Sequence, residues 1–488
     1  MAHPNPEDFA PIFYPKSVAL IGASSDLEKF GGRMLMALKD FGYKGQLYPV
    51  NPHEQEIFGL KAYRSIEEVP GPVEFAIIGV PAQAVPATLR QCLGRGVRAV
   101  EILTSGFSET GREEGRLLET ELRKIASAGL RIIGPNCFGV YSPKGGLTLL
   151  PGPDFPRESG PVAFISQSGG FAARLGQLAR AWGIRFSKVV SYGNACDINE
   201  LDLLEYFARD PETKIIMAYI EGIAEGQRFL DVVSKLTPTK PVVIWKAGLS
   251  KSGGLAVGSH TASLGGEARV WDAFFRQSGA IRAESLDELI DIAIALLHIP
   301  PGTGSRMSLV SGGGGLGAEA CDVCEKWGLP IPPLTAKSLE WLRPLLPAGT
   351  GLQNPLDAGT PFPKPEYLRS VLEVVASDPN VDILLLNEFV LFGWSIYPRL
   401  SSAQSEQLGQ EMREVPKLIK ERFGKPIVIV LPRFPGEIEM LHLEKESRLT
   451  RDFCLEAGIP IYSNLERACR AVAKVTRYYQ RISPLAGN

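Results

Sequence analysis

Four stretches carry side chains suited to moving a phosphoryl group. Ser166-Gln167-Ser168-Gly169-Gly170 lies between an apolar run, Val162–Ser166, and a helical pattern, Phe171–Trp182. Small residues at a strand-to-helix turn leave several backbone N–H groups available to an oxyanion, although the same residues also make a simple tight turn. Glu221-Gly222 follows the strand pattern Ile215–Ile220. A carboxylate there points into the crevice at a sheet's carboxyl edge; the alternatives are a helix cap or a solvated acid. Lys246–Leu264 reads as a loop of Gly, Ser and Ala between a strand-like run, Pro241–Trp245, and a helical pattern, Glu267–Gln277. It holds His260, one of five histidines. An imidazole can be a nucleophile near neutral pH, or an ordinary solvated loop side chain. Gly193-Asn194-Ala195-Cys196-Asp197 ends the fourth strand, Phe186–Tyr192. Converging at one edge of one sheet, these ends would supply an anion cradle, a carboxylate that orients the ring, and an imidazole with one nitrogen left to attack. That is what a phosphohistidine site needs. No G-x-x-x-x-G-K-[ST] occurs in the chain, so there is no ordinary P-loop. A serine or cysteine hydrolase is disfavoured, because Ser168 lacks a G-x-S-x-G elbow and Cys196 lacks an evident histidine partner.

The elements that must hold these residues repeat a strand–helix rhythm. In residues 1–145 the strands are Ser17–Gly22, Gly45–Val50, Glu74–Val80, Ala99–Leu103 and Leu130–Ile133. Helical patterns Gly32–Phe41, Pro86–Arg95 and Arg112–Ala128 separate them. This spacing predicts a Rossmann-like, doubly wound parallel sheet. Its carboxyl ends, Gly22-Ala23-Ser24-Ser25, Val80-Pro81, Thr104-Ser105-Gly106 and Gly134-Pro135-Asn136, are small or polar, as a nucleotide crevice requires. NAD is disfavoured: the first turn is not G-x-G-x-x-G, and the second strand ends in Asn51-Pro52 where a ribose-binding carboxylate belongs. A Pro/Gly-rich linker, Pro143–Gly160, leads to a second α/β series in 146–302. A third, in 303–488, contains Met307–Val310, the run Ser311-Gly312-Gly313-Gly314-Gly315, helix Leu316–Trp327, strands Ile383–Asn387 and Pro426–Leu431, and helix Leu465–Tyr479. The second and third series predict two flavodoxin-like doubly wound domains. The four glycines serve backbone packing or an anion equally well. Phe389–Arg413 reads as an insertion without an assignable motif.

Bulk properties set limits. A chain of 488 residues suggests about three domains. A net charge of −2 offers no electrostatic case for nucleic acid or an anionic membrane. Seven scattered cysteines imply reduced thiols in a cytoplasmic protein. Cys321 and Cys324 form a single C-x-x-C on a helical pattern, which points to packing and not zinc; no metal ligands are assigned in this chain. The N-terminus lacks the apolar core of a signal peptide, and Ile292–Leu297 is too short to span a bilayer.

Phe13-Tyr14-Pro15-Lys16-Ser17-Val18-Ala19-Leu20-Ile21-Gly22-Ala23-Ser24 resembles the CoA-binding domain of NDP-forming acyl-CoA synthetases, the superfamily of succinyl-CoA synthetase and ADP-forming acetate–CoA ligase. Tyr43-Lys44-Gly45, Tyr48–Pro52, Thr104–Phe107 and Gly134–Cys137 match as well. Ser259-His260-Thr261 after its Gly/Ala-rich lead resembles that superfamily's phosphohistidine loop, and 308–331 resembles the third domain of the acetate–CoA ligase α subunit. The resemblance implies that Gly22, Ala23, Ser24 and Ser25 line the CoA phosphates, with Lys44 near the nucleotide. Val80 and Pro81 would lie against the adenine–pantetheine and Asn136 near the thiol end, with Thr104 and Ser105 also in the cofactor site. It implies a phosphoryl cradle at Ser166, Gln167, Ser168 and Gly169, with Glu221 orienting His260. It also implies a reversible ligase, with ATP/ADP and Mg held by an ATP-grasp β subunit in a heterotetramer, since no ATP-grasp module is found in this sequence. Acetate, a branched-chain acid, an aryl acid and a dicarboxylate all fit these motifs. A CoA-binding regulator without ligase chemistry is the alternative.

Overall fold

Aliphatic runs without polar alternation become strands buried on both faces, the signature of parallel sheets covered by helices on each side. The computed structural model describes residues 9–149, 155–261, 267–346, 350–359, 364–387, 402–431 and 441–483. It has two compact units, Met1–Leu289 and Ile290–Asn488.

The first unit holds two sheets. One has five parallel strands, β1 (Ser17–Ile21), β2 (Gln46–Val50), β3 (Phe75–Ile78), β4 (Ala99–Ile102) and β5 (Arg131–Ile133), in the order β2-β1-β3-β4-β5. The other has six, β6 (Gly139–Tyr141), β7 (Val162–Ser166), β8 (Phe186–Ser191), β9 (Ile215–Ile220), β10 (Val242–Lys246) and β11 (Ile281–Ala283), in the order β11-β10-β9-β7-β8-β6. All pair in parallel except β6, which runs antiparallel to β8 along the edge. Although β6 falls within 1–145, it joins the second sheet; three residues at an edge leave no periodicity for sequence to reveal. The second unit has one parallel sheet, β12 (Met307–Ser311), β13 (Leu356–Asp357), β14 (Ile383–Asn387), β15 (Ile427–Val430) and β16 (Ile461–Tyr462), in the order β13-β12-β14-β15-β16.

The helices that matter to the site follow strands directly. These are α1 (Phe30–Phe41), α2 (Gly169–Ala181), α3 (Glu200–Arg209), α4 (Gly226–Leu236), α5 (Lys251–Thr261), α6 (Ala268–Ser278) and, in the second unit, α7 (Gly314–Trp327). Asn199 caps α3 in a reciprocal box with Asp202. Helix α5 corrects the sequence reading of an open loop: eleven residues of the Gly/Ser/Ala stretch are helical. The Ser250 hydroxyl accepts the Gly253 N–H at 3.0 Å and starts the turn. The rest of that stretch, 262–264, lies outside the described residues, as do 150–154 of the expected linker and 389–401 of the expected insertion.

Helix α1 seats on the first turn through bare backbone. Gly22 has φ +93, and a Cβ on Gly31 would lie 1.9 Å from the Gly22 carbonyl oxygen. Gly31→Ala is therefore expected to lower stability by about 1–3 kcal/mol, the usual cost of overpacking. Thermal unfolding would show it, and a variant as stable as the parent would refute this account of the turn.

Candidate active site

In a parallel sheet every carboxyl end lies on one edge, so β1 to β5 bring most of the expected CoA residues together. Gly22–Ser25 follows β1, Val80-Pro81 follows β3, Thr104-Ser105 follows β4 and Asn136 follows β5. The edge is internally tied. The Thr104 hydroxyl donates to the Val80 carbonyl at 2.7 Å, and the Asn136 N–H donates to the Thr104 carbonyl at 2.9 Å. Asn51, at the end of β2, donates through Nδ2 to the Ala23 carbonyl at 2.7 Å. Glu54 accepts the Ser25 N–H at 3.2 Å, putting a carboxylate where the turn offers its donors. Asn51 thus shapes the turn after β1, where the CoA phosphates are expected.

Lys44, expected near the nucleotide, is not part of this cluster. It precedes β2 and so sits at the sheet's amino edge, lining a surface hollow with Lys16 and Gly146. The five residues of β2 separate it from the carboxyl edge by about 16 Å, at about 3.3 Å per residue.

The carboxyl edges of the first unit's two sheets are joined. The Asn194 N–H donates to the Pro135 carbonyl at 3.0 Å, and the Cys196 N–H donates to the Gly134 carbonyl at 3.0 Å. The Asn194 side chain donates to Glu119 at 2.9 Å and accepts from Asn136 at 3.4 Å. Gly193–Asp197 therefore docks one sheet on the other and does not simply line the second crevice.

On the second sheet's edge, the Ser168 hydroxyl caps α2 by accepting the Phe171 N–H at 3.4 Å, and the Ser166 hydroxyl donates to the Ser168 carbonyl at 2.7 Å. The first N–H groups of α2 lack partners within the helix and carry its positive dipole end, as an anion cradle needs. The Gln167 amide is directed elsewhere: its oxygen accepts the N–H groups of Glu221 and Gly222, and its nitrogen donates to the Gly222 carbonyl at 3.0 Å. It clamps the β7 turn to the end of β9 and fixes Glu221 beside the cradle.

Glu221 is 5% exposed. Next to it Lys246, which the motif reading passed over as a strand end, is 4% exposed and donates to the Glu221 carbonyl at 2.8 Å and to the Ala247 carbonyl. Burial pulls the Lys246 ammonium down to about 8, while Glu221 acts in the opposite sense. Helix α5 starts a few residues past β10 and packs against the 3₁₀ turn Ser108–Thr110, which follows β4 of the first sheet. His260 lies in its last turn; its side chain is outside the described residues.

In the second unit Ser311, Asp357 and Asn387 share the carboxyl edge around the glycine run that opens α7. A Cβ on Gly313 or Gly315 would meet nothing within 4 Å, so packing does not demand glycine there. Asn387 is 2% exposed, and neither of its side-chain amide atoms has a hydrogen-bond partner among the described residues.

Comparison with known proteins agrees with this fold. A CoA-binding domain model matches residues 16–143, and a succinyl-CoA ligase-like flavodoxin domain model matches 159–296. The chain is 42% identical over 377 residues to the α subunit of ADP-forming acetate–CoA ligase II of Pyrococcus furiosus, covering 77% of this chain and 81% of that protein. It is 36% identical to the α subunit of ligase I of the same organism, covering 96% and 97%. It spans 54% of the length of the ADP-forming acetate–CoA ligase I of Archaeoglobus fulgidus. The structure of a dinucleotide-forming acetyl-coenzyme A synthetase 1 from Ca. Korarchaeum cryptofilum, in complex with phosphate and ADP, superposes with a TM-score of 0.81 at 30% identity, covering 98% of this chain and 99% of that one.

Proposed function

Because the chain belongs to the family of ADP-forming acetate–CoA ligases, α-subunit type, we propose that it interconverts acyl-CoA, ADP and phosphate with the free acid, CoA and ATP. CoA binds along the first sheet's carboxyl edge, with its phosphates at Gly22, Ala23, Ser24 and Ser25 and its thiol toward Asn136. The N-terminus of α2, at Ser168 and Gly169, holds the phosphoryl oxygens. A phosphate oxygen attacks the thioester carbonyl; the C–S bond breaks and the thiolate takes up a proton. A ring nitrogen of His260, oriented by Glu221, then attacks the phosphorus of the acyl phosphate, and the carboxylate leaves. The phosphohistidine passes its phosphoryl group to ADP. The nucleotide and its Mg belong to an ATP-grasp β subunit, with which the chain forms a heterotetramer.

The observation that carries this reading is the course of α5. The helix, with His260 in its last turn, follows β10, which pairs with the strand that leads to Glu221, and lies against the turn Ser108–Thr110 of the first sheet; this course supports a role for His260 between the two. The test is co-expression with an ATP-grasp β chain, followed by assay of an acid panel with ATP and CoA. Acyl-CoA formation that needs both chains is the expected result. Tight CoA binding with no acyl-CoA formed from any acid, and no phosphorylated chain, would overturn it in favour of a CoA-binding regulator.

A further inference from the structure

Between α4 and α6, over the ends of β9 and β10, lies a pocket of about 440 Å³. Ile223, Phe229, Leu230, Trp271 and Phe274 form apolar walls, and Lys246 forms its charged floor. The Phe229 and Phe274 rings stack at 5.1 Å, and Trp271 meets Phe274 edge-on at 5.2 Å. The Lys246 ammonium sits 5.3 Å from the Trp271 ring centre, within cation–π range.

We propose that this pocket binds the organic acid of the reaction, with its carboxylate on Lys246 and its apolar body among Phe229, Trp271 and Phe274. The assignment rests on the ligase reading above. Three observations support it. Even with two carbonyl groups on it and Glu221 facing it, the buried ammonium at the base of this apolar chamber stays below its ordinary value, and a bound carboxylate would add to that compensation. The volume falls in the range of small-molecule sites, about 300–1,000 Å³, and would leave acetate largely uncontacted. Lys246 is the one cation among the described lining residues, so the second carboxylate of a diacid would be buried unpaired. The ligand class is therefore an aryl or branched-chain monocarboxylate. The place also suits the chemistry, because the floor of the pocket touches the main chain of Glu221.

Binding should couple to protons. The charged group that faces Lys246 from β9 is Glu221; α4 and α6 contribute the neutral Gln227 and Gln277 to the lining. Burial holds Lys246 at about 8, and a bound carboxylate would draw it back up. Above that pH, binding must take up a proton, and affinity must fall as pH rises.

The test is isothermal titration of the full chain with 3-phenylpropanoate, acetate and succinate at pH 7 and pH 9, in buffers of different ionisation heat. The aryl acid is expected to bind at least tenfold more tightly than the other two, with proton uptake at pH 9. Lys246→Met should abolish that uptake, and Ala273→Trp, which fills the chamber, should abolish binding. If Lys246→Met fails to fold, Ala273→Trp decides alone. Aryl-acid affinity equal to that of acetate, or unchanged in Ala273→Trp, overturns the proposal. Phosphorylation of the chain with its partner is scored separately: normal labelling without acid binding sinks only the pocket, and acid binding without labelling sinks only the ligase reading.

Discussion

Replacing His260 with Asn should remove phosphoryl transfer while leaving the thioester chemistry intact. In the presence of the ATP-grasp partner and labelled ATP, the parent chain should acquire acid-labile label and the variant none. The overall rate should fall by at least about 10³-fold, equivalent to about 4 kcal/mol of lost transition-state stabilisation. The amide fills much of the imidazole's space but offers no nucleophilic nitrogen, so the step that breaks the acyl–phosphate bond loses its acceptor. Attack of phosphate on acyl-CoA does not use the ring. The variant should therefore still release CoA from acyl-CoA and phosphate, with the acyl phosphate trapped by hydroxylamine. Glu221→Gln should sit between parent and His260→Asn, because it keeps the ring and loses only its orientation and charge partner. Full activity in His260→Asn would remove the phosphohistidine from the mechanism.

What the amino-acid order revealed follows from which features are local. Val162–Ser166 and Ile215–Ile220 are continuous apolar runs because both faces of the sheet are covered, and the structure makes both of them strands with those bounds. Once the strands are parallel, the residues that follow them must share an edge, so Ser24, Val80, Thr104 and Asn136 could be grouped without coordinates. Lys44 shows the limit of that logic: a residue that precedes a strand lies at the opposite edge, whatever motif surrounds it. Helix α5 was hidden by composition, since four glycines and serines in Ser250–Gly254 suggest a loop until the Ser250 hydroxyl is seen capping a turn. Lys246 and Asn194 were hidden for another reason. Their partners, Glu221 at 25 residues' separation and Glu119 at 75, are brought to them only by the fold. The Gln167 clamp on Gly222, 55 residues away, is legible only in three dimensions for the same reason.

The largest expected loss of stability lies away from the chemistry, at Lys188. This lysine on β8 is buried among the rings of Phe13, Tyr14 and Tyr206, and its ammonium meets Asp210 at 2.8 Å and Glu212 at 3.0 Å. Glu212 also accepts from Lys144 at 2.9 Å and from Ser159. Lys188→Met keeps the apolar stem but leaves Asp210 in the interior without its cation, and should cost about 3–5 kcal/mol, as breaking a buried ion pair does. Changing Asp210 and Glu212 to their amides in the same chain should restore much of that loss, because the damage is the stranded charge and not the missing attraction. The pH dependence has a definite sign. Burial acts to raise Glu212, but hydrogen bonds from Ser159, Lys144 and Lys188 outweigh it and hold the carboxyl below its ordinary value. Its contribution is present above the unfolded carboxylate value of about 4.3 and is lost as pH falls through the lower folded value. Burial acts to lower Lys188, yet Asp210 and Tyr14 raise it overall. Its contribution is present below the unfolded value of about 10.4 and is lost as pH rises through the folded one. The gap between parent and Lys188→Met in urea unfolding should therefore be widest from about pH 5 to pH 10 and should shrink in acid. A gap below about 1 kcal/mol at pH 7, the size of a surface pair, would mean that water reaches these charges and that the aromatic enclosure does not set their energy.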